Sequence, residues 1–274
     1  MKVNLNNKIC LITGGAGFLG KYHAEAIIEC GGFVILSDIN ENPLKEVVDF
    51  LNAKYGTGHG HTVCKGIIMD ATNPDSIKNA LANKGKIDIL INNAALDPKV
   101  NNTDQDLNCR FEKMPLEYWQ KGLDVIVNGT FLTSQAVVNK MIQTNTKGVI
   151  LNIASDLSII SPDQRIYRKE NLKEEEQPVK PITYSAAKHA IIGMTKYLST
   201  YLAPKNIRVN CLSPGAVFKD DMPEDFVKKI CNLIPMNRMA NAGEYKGAVA
   251  FLCSDSSSYM TGQNISVSGG RDVW

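Results

Sequence analysis

Residues 9–20 read ICLITGGAGFLG, an apolar run followed by a glycine-rich turn and the start of a helical pattern that continues to about Cys30. Glycines at such a turn let the chain reverse tightly and let a phosphate group approach the backbone. The free N–H groups at the start of the following helix favour negative charge. The strand–turn–helix order therefore predicts an α/β fold with a phosphate-bearing ligand at this turn.

Six further apolar segments follow, separated by helical segments, and they are residues 33–36, 63–69, 87–91, 149–153, 207–211 and 265–267. Near-continuous apolar strands that alternate with helices are typical of a parallel sheet covered on both faces. Right-handed crossovers then give a doubly wound Rossmann fold with its ligand crevice at the carboxyl ends of the strands. We expect a single domain over residues 1–274, with a seven-stranded parallel sheet and helices on both faces.

Composition is ordinary for a soluble globular protein: 274 residues, 44% hydrophobic and 21% charged, with a net charge of +2. This charge gives no reason to expect nucleic acid or a membrane surface as a partner. The polar N-terminus and the absence of a long apolar run predict a cytoplasmic protein. Seven scattered cysteines without a C-x-x-C motif indicate reduced thiols and no metal site. His59 and His61 lie in a glycine-rich stretch that we interpret as a solvated loop.

Asp38 ends the second predicted strand. A carboxylate at this point can accept hydrogen bonds from both adenosine ribose hydroxyls and would repel a 2′-phosphate. Neither Ile39 nor Asn40 could neutralise that phosphate. We therefore expect NAD rather than NADP, although Asp38 could also be a simple turn residue.

Tyr184 and Lys188 lie four residues apart in a helical stretch, so their side chains share one face. A nearby cation favours the phenolate, which makes the pair a candidate for proton transfer. A tyrosine pKa of about 10 must fall by roughly three units to work near neutrality, more than one lysine usually supplies. A second positive charge, such as an oxidised nicotinamide, is needed. By itself the spacing also fits an ordinary surface pair.

These motifs occur together in short-chain dehydrogenases/reductases, which the chain resembles over essentially its whole length. The other matching segments are Asp70-Ala71, Asn92-Asn93-Ala94-Ala95, Asn152-Ile153-Ala154-Ser155 and residues 208–215, 234–239, 251–255 and 261–263. The resemblance implies that Ser155 hydrogen-bonds the reacting oxygen, that Tyr184 transfers the hydroxyl proton, and that Lys188 binds the nicotinamide ribose and lowers the tyrosine pKa. It also places Asn92 to Ala94 at the cofactor floor. The full cofactor-binding set that we expect is Gly14, Ala16, Gly17, Phe18, Leu19, Asp38, Asp70, Ala71, Asn93, Ala94, Tyr184, Lys188, Pro214, Gly215 and Val217.

The chain departs from the family pattern at three points. Ile126 stands where members often have an asparagine that supports a proton-relay water, and Ala95 replaces a usual glycine. The glycine spacing of the first turn follows G-x-x-G-x-x-G, as in the larger sugar-nucleotide epimerases and dehydratases. The missing asparagine puts the water relay in doubt, but not the serine, tyrosine and lysine.

Residues 96–110 and 161–180 interrupt the regular alternation, and both follow strands that end at the crevice. The 161–180 insertion separates Ser155 from Tyr184, so we expect it to form a flap over the substrate with Arg165 as a phosphate ligand. Alternatively, it is a solvated loop, which suits the acidic run 174–176. Residues 164–167, 178–181 and 269–274 resemble oxidoreductases of bacterial flagellin modification and surface-sugar synthesis.

The sequence thus predicts an NAD-dependent oxidoreductase acting on a hydroxyl or keto group of a phosphorylated or nucleotide-linked sugar, in bacterial surface or flagellar glycan biosynthesis. One alternative is a general alcohol/ketone reductase of the acyl or steroid type. Another is a dinucleotide sensor with impaired catalysis. The resemblance also implies a homodimer or homotetramer, and Ala190, Ile191, Gly193 and Met194 offer a contact face of mostly small residues.

Overall fold

The computed structural model describes residues 3–56, 62–97, 100 and 109–274. Its strands are β1 (Ile9–Thr13), β2 (Phe33–Asp38), β3 (Cys64–Ile68), β4 (Ile89–Asn92), β5 (Gly148–Ile153), β6 (Ile207–Pro214) and β7 (Asn264–Val267). They form one seven-stranded sheet in the order β3-β2-β1-β4-β5-β6-β7, with every pairing parallel. The expected fold class is confirmed, with strand ends that differ by a few residues from those predicted.

The α-helices in the described residues are α1 (Phe18–Glu29), α2 (Glu41–Tyr55), α3 (Pro74–Leu81), α4 (Leu116–Leu123), α5 (Gly129–Gln143), α6 (Ile182–Leu202), α7 (Glu224–Cys231) and α8 (Lys246–Cys253). Alternate residues of each strand face opposite sides of the sheet, so both sides need an apolar cover. On β1, Cys10 and Ile12 pack in the cluster that includes α1, α2 and α8. Leu11 packs in the cluster that includes α3, α5 and the end of α6.

The strand order reverses between β1 and β4, and this reversal places the ligand crevice. The chain leaves β1, β4, β5 and β6 at the same edge of the sheet, because parallel strands all end there. The residues that follow these strands therefore meet, although they lie far apart in sequence.

One expectation about the helices needs revision, and others concern residues that the structure does not describe. Ile191 is buried against Ala154, Ala187 and Cys211, so it belongs to the core and not to an exposed contact face. His59, His61 and most of 96–110 lie outside the described residues. None of the described helices is long and apolar enough to cross a membrane.

Candidate active site

A cleft of about 760 Å³ opens at the carboxyl ends of the strands. Apart from Asn92, the residues expected to hold the cofactor line it, and so do Ser155, Tyr184 and Lys188. The cleft has a dinucleotide half between β1, β2 and β4 and a reaction half between β5, β6 and α6. Within the described part of the chain, no three His, Cys, Asp or Glu side chains cluster so as to hold a metal ion.

The glycine-rich turn has the shape that a dinucleotide requires. Gly14 has a φ of +63°, and a Cβ there would come within 2.8 Å of the Ala94 Cα. A Cβ on Gly20 would come within 2.5 Å of the Gly14 carbonyl oxygen, so the third glycine lets α1 pack closely. In the described structure, no side chain caps α1 and no acidic residue lies in its first turn. This helix start is therefore well suited to hold a pyrophosphate.

Asp38 lies at the end of β2, is 9% exposed and lines the cleft. One carboxylate oxygen accepts the Ala16 N–H at 3.1 Å, and the other accepts the Asn40 N–H at 3.0 Å. These bonds fix the carboxylate between the glycine-rich turn and β2, where lone pairs remain for ribose hydroxyls. The residues of this half thus fit a dinucleotide cofactor.

The floor of the cleft begins at Asn93, one residue later than predicted. The Asn93 amide donates to the carbonyl oxygens of Thr13 and Gly14, both at 3.0 Å, and so ties β4 to the glycine-rich turn. Asn92 is buried behind the cleft instead, where its amide donates to Ser134 at 2.9 Å and to Asn152 at 2.8 Å. The expectation that Asn92 faces the cofactor was wrong, because it is the last residue of β4 and its side chain points into the core.

Ser155, Tyr184 and Lys188 come together in the reaction half, as the sequence predicted. Ser155 follows β5, and its hydroxyl hydrogen-bonds with the Tyr184 phenol. The Lys188 Nζ lies 5.7 Å from the centre of the Tyr184 ring and donates to the Ile153 carbonyl oxygen at 2.7 Å. A phenol (Tyr184), a hydroxyl (Ser155) and an ammonium group (Lys188) thus lie close together in the cleft.

Burial opposes the charged forms of both titratable groups. Desolvation is the main cause that raises the pKa of Tyr184, and Asp97 adds to the rise, while the Ser155 hydrogen bond opposes it. Desolvation also lowers the pKa of Lys188 to about 8. The lysine therefore remains mostly protonated at neutral pH, but the tyrosine needs further positive charge to ionise.

Ile126 lies in a π-helical segment, Asp124–Asn128, that joins α4 to α5. Its side chain is buried with Ala154, Ala187 and Cys211 beneath the reaction half. π-helical turns are often found at functional sites. Here the segment places the apolar side chain of Ile126 at the position where many family members have the relay asparagine. Lys188 donates its hydrogen bond to the backbone of β5 directly.

Several cleft residues were not predicted from the sequence. Lys180 lies 4.6 Å from the centre of the Tyr184 ring, pairs with Asp97 and is 9% exposed at its side chain. Arg271, from the C-terminal segment, is buried and pairs with Asp156 at 2.7 Å. An apolar wall faces them, formed by Tyr167, Met222, Phe226, Ile230 and Met239.

Arg165 is not among the residues that line this cleft. Its guanidinium pairs with Asp163 at 2.7 Å, and its side chain is 83% exposed. Its assignment as a substrate ligand stays a prediction. The structure does not bring Arg165 into contact with Ser155 or Tyr184.

Known families account for this geometry. The sequence profile described as "short chain dehydrogenase" matches residues 8–167, and one described as "Enoyl-(Acyl carrier protein) reductase" matches residues 173–272. The chain belongs to the short-chain dehydrogenase/reductase family. Short-chain dehydrogenases act on hydroxyl and keto groups, and this oxidoreductase chain carries their fold.

Curated relatives match nearly the whole chain. An NAD-dependent glycerol dehydrogenase of Listeria innocua is 32% identical over 98% of this chain and 96% of its own. A trans-4-hydroxycyclohexanecarboxylate dehydrogenase of Sinomonas cyclohexanicum is 30% identical over 96% and 92%. A 3-oxoacyl-[acyl-carrier-protein] reductase of Aquifex aeolicus is 31% identical over 98% and 99%.

Solved structures agree in fold. A short-chain dehydrogenase from Leptospira borgpetersenii with bound NAD⁺ superposes with a TM-score of 0.81 at 32% identity, over 98% of this chain and 94% of the other. A short-chain dehydrogenase/reductase from Mycobacterium marinum gives 0.82 at 30% identity, over 100% and 98%. The family and these structures imply that the ligand of this cleft is a nicotinamide dinucleotide, NAD or NADP.

Proposed function

We propose that this enzyme uses NAD and acts on a hydroxyl or keto group of a sugar that carries a phosphate or a nucleotide. The observation that carries the proposal is the cationic side chain of Lys180, which lies beside Tyr184 in the reaction half of the cleft. Among the described residues, Lys180 pairs with Asp97, and Arg271, which also lines the cleft, pairs with Asp156. A surface or flagellar glycan pathway rests on the resemblance of residues 164–167 and 178–181 and of the C-terminal segment, since the relatives named above carry other activities.

The preference for NAD is argued from Asp38. The 2′-phosphate of NADP would meet this carboxylate in a nearly buried position, and such a like-charge contact costs several kcal/mol. Calorimetry should therefore give a much lower Kd for NAD than for NADP, and Asp38→Ala should narrow the difference. Asp49→Ala, an exposed change on α2, is the matched control. Equal affinities of the unmodified protein for NAD and NADP would exclude the preference.

The protein's own groups supply proton transfer and orientation. When bound, a nicotinamide dinucleotide supplies the hydride acceptor or donor. Ser155 holds the substrate oxygen, and Tyr184 removes the hydroxyl proton during oxidation or returns it during reduction. Lys188 gives the positive charge that assists ionisation of Tyr184.

A sugar substrate suits both the charges and the wall of the cleft. Ammonium and guanidinium groups bind phosphate, and an aromatic side chain such as Phe226 can lie against a sugar ring. The glycerol dehydrogenase relative, by its name, acts on a polyol. An anionic sugar would bind Lys180 in place of Asp97.

The apolar wall favours a second candidate, a general alcohol/ketone reductase of the acyl type. Met222, Phe226, Ile230 and Met239 could equally contact an acyl chain, and the 31% identical Aquifex protein is a 3-oxoacyl-[acyl-carrier-protein] reductase.

A substrate panel separates the candidates. Hexose phosphates, nucleoside-diphosphate hexoses, unphosphorylated hexoses and 3-oxoacyl thioesters are assayed in both directions by NADH absorbance. We expect the highest kcat/KM with a phosphorylated or nucleotide-linked sugar. A higher kcat/KM with thioesters would support the second candidate, and NAD binding without turnover of any compound would favour a dinucleotide sensor.

A further inference from the structure

Arg271 and Asp156 form a buried ion pair next to the reacting groups, and the family motifs quoted above do not account for it. The Arg271 Nη1 lies 2.7 Å from the Asp156 Oδ2, and both side chains are nearly excluded from solvent. Gly269 and Gly270, both at positive φ, turn the chain immediately before Arg271. A buried ion pair contributes little net stability in general, so its place beside Ser155 calls for another explanation.

Asp156 contacts Ser155 directly. The Ser155 hydroxyl donates to the Asp156 Oδ1 at 3.0 Å, and the Leu157 N–H donates to the same Oδ1 at 2.8 Å. A hydroxyl has one proton, so Ser155 accepts from the neutral Tyr184 phenol while it donates to Asp156, and it turns that proton to the Tyr184 oxygen when the phenol ionises, the form that this hydrogen bond favours. Hydrogen bonds thus connect Tyr184 to Ser155 and Ser155 to Asp156. Arg271 lies on the other side of Asp156 as its ion-pair partner.

We propose that Arg271 is a positioning residue that, through Asp156, fixes the hydroxyl of Ser155 and compensates the negative charge near Tyr184. Without a cation, a charged carboxylate buried at this point would repel the phenolate. With Arg271 in place, Asp156 accepts the hydrogen bond of the Ser155 hydroxyl and its charge is compensated by the ion pair.

Tyr184 meets charge from several elements, and the test must separate them. The groups concerned are Lys188 on α6, Lys180 and Tyr167 in the 161–180 insertion, Asp97 after β4, and Asp156 after β5 with Arg271 behind it. Removing Arg271 leaves Asp156 uncompensated, which disfavours the phenolate. Removing the charge of Asp156 favours it. The two changes therefore act on Tyr184 in opposite directions, whereas general damage to the site would not.

The experiment titrates Tyr184 in the NAD⁺ complex by NMR of protein labelled at the tyrosine Cζ, with Tyr184→Phe assigning the signal. We expect Arg271→Gln to move the Tyr184 titration to higher pH, and Asp156→Asn to lower pH, each by about one pH unit. Asp156→Asn/Arg271→Gln should return it close to the wild-type position. Arg238→Gln, which removes an exposed ion pair with Glu244, is the control and should leave it unchanged.

The double variant also covers the case in which a single variant fails to fold, because it leaves no unpaired buried charge. The proposal would be overturned if the Tyr184 titration were the same in the wild type, the two single variants and the double variant, including the case in which Tyr184 ionises in none of them. Shifts of the same sign in both single variants would also overturn it. This readout needs no substrate, so it fails or succeeds independently of the proposed sugar. Where the panel yields a substrate, Arg271→Gln should lower kcat about tenfold with little change in KM, and Arg271→Lys should recover part of it.

Discussion

At the scale of the residue, the site sets burial against ionisation. In the proposed mechanism, Tyr184 must be ionised before it can accept the hydroxyl proton during alcohol oxidation, yet its surroundings raise its pKa, chiefly by desolvation. Lys188 and Lys180 both lie near its ring, at 5.7 and 4.6 Å from the centroid. A positive nicotinamide would add a third charge during oxidation. The proposed mechanism therefore requires several cations acting together, with the phenol as the proton carrier.

Tyr184→Phe should abolish most turnover, because the ring remains while the proton carrier is lost. We expect kcat to fall by about 10²–10⁴-fold, the usual contribution of a general acid or base, with NAD affinity nearly unchanged. Tyr197→Phe, on the exposed side of the same helix, is the control. Retention of more than about a tenth of the rate by Tyr184→Phe would be incompatible with this role.

Lys188 should make stability depend on pH. Its pKa is lowered to about 8 in the folded protein, below the value of 10.5 expected for an unfolded chain. Between these values the unfolded state binds more protons, so this contribution to stability rises with pH and is lost as pH falls towards 8. The free energy of unfolding of wild type minus that of Lys188→Met should therefore increase from pH 8 to pH 10.5. Urea unfolding measures it, with the exposed Lys196→Met as control; a flat difference would contradict the prediction.

The reacting groups could be predicted because they lie in local motifs, whereas the contact between Arg271 and Asp156 could not, because these residues are far apart in sequence. Tyr184 and Lys188 are one helical turn apart, and Ser155 ends a strand, so each could be placed from a short pattern. Arg271 and Asp156 are 115 residues apart, and their contact depends on how the C-terminal segment folds back. No spacing rule gives that contact.

At the scale of the element, the 161–180 insertion packs against α7. Ile166 lies in a cluster with Ile230, and Tyr167 stacks on Phe226 with ring centres 5.7 Å apart. Gln164 and Lys180 exchange two hydrogen bonds, at 2.9 and 3.2 Å, that close the insertion at its base. The sequence located the insertion but gave no way to tell which cation faces the cleft, because a loop has no fixed side-chain period.

The predicted flap function can be tested with the two cations of this insertion. Lys180→Met should raise KM for an anionic sugar about tenfold or more, since it removes a charged ligand beside Tyr184. Arg165→Met removes a cation of the same insertion that faces solvent, and we expect a much smaller effect. Steady-state kinetics and thermal unfolding are measured together. A larger effect at Arg165 would restore the original assignment and would require the insertion to close differently over substrate.

At the scale of the whole molecule, the fold was predictable because its pattern repeats. All seven strands were found from apolar runs, and parallel pairing followed from their spacing by helices. The strand ends were not, since they depend on neighbours: β6 runs on to Pro214 because β7 pairs with it over Cys211 to Pro214. The π-helical turn at Asp124–Asn128 left no signal in the sequence pattern that we could recognise.

Assembly is the remaining prediction at this scale. The described surface of α5 and α6 exposes apolar and aromatic side chains, namely Phe131, Ile142, Ile182, Tyr197 and Tyr201. Gly193 is also exposed, and a Cβ there would meet open space. Since large apolar side chains that are exposed on a monomer can mark an interface, we expect a homodimer or homotetramer through these helices.

Light scattering at micromolar concentration should give a mass of two or four chains for the wild type. Tyr197→Asp/Tyr201→Asp should reduce it, because the two stacked rings would lose their apolar cover and four introduced charges would meet across a two-fold axis. Phe50→Asp, on α2 at the β3 side of the sheet, is the control for a charge placed on an exposed aromatic position. A wild-type monomer would exclude the oligomer, and an unchanged mass in the double variant would move the interface to another face.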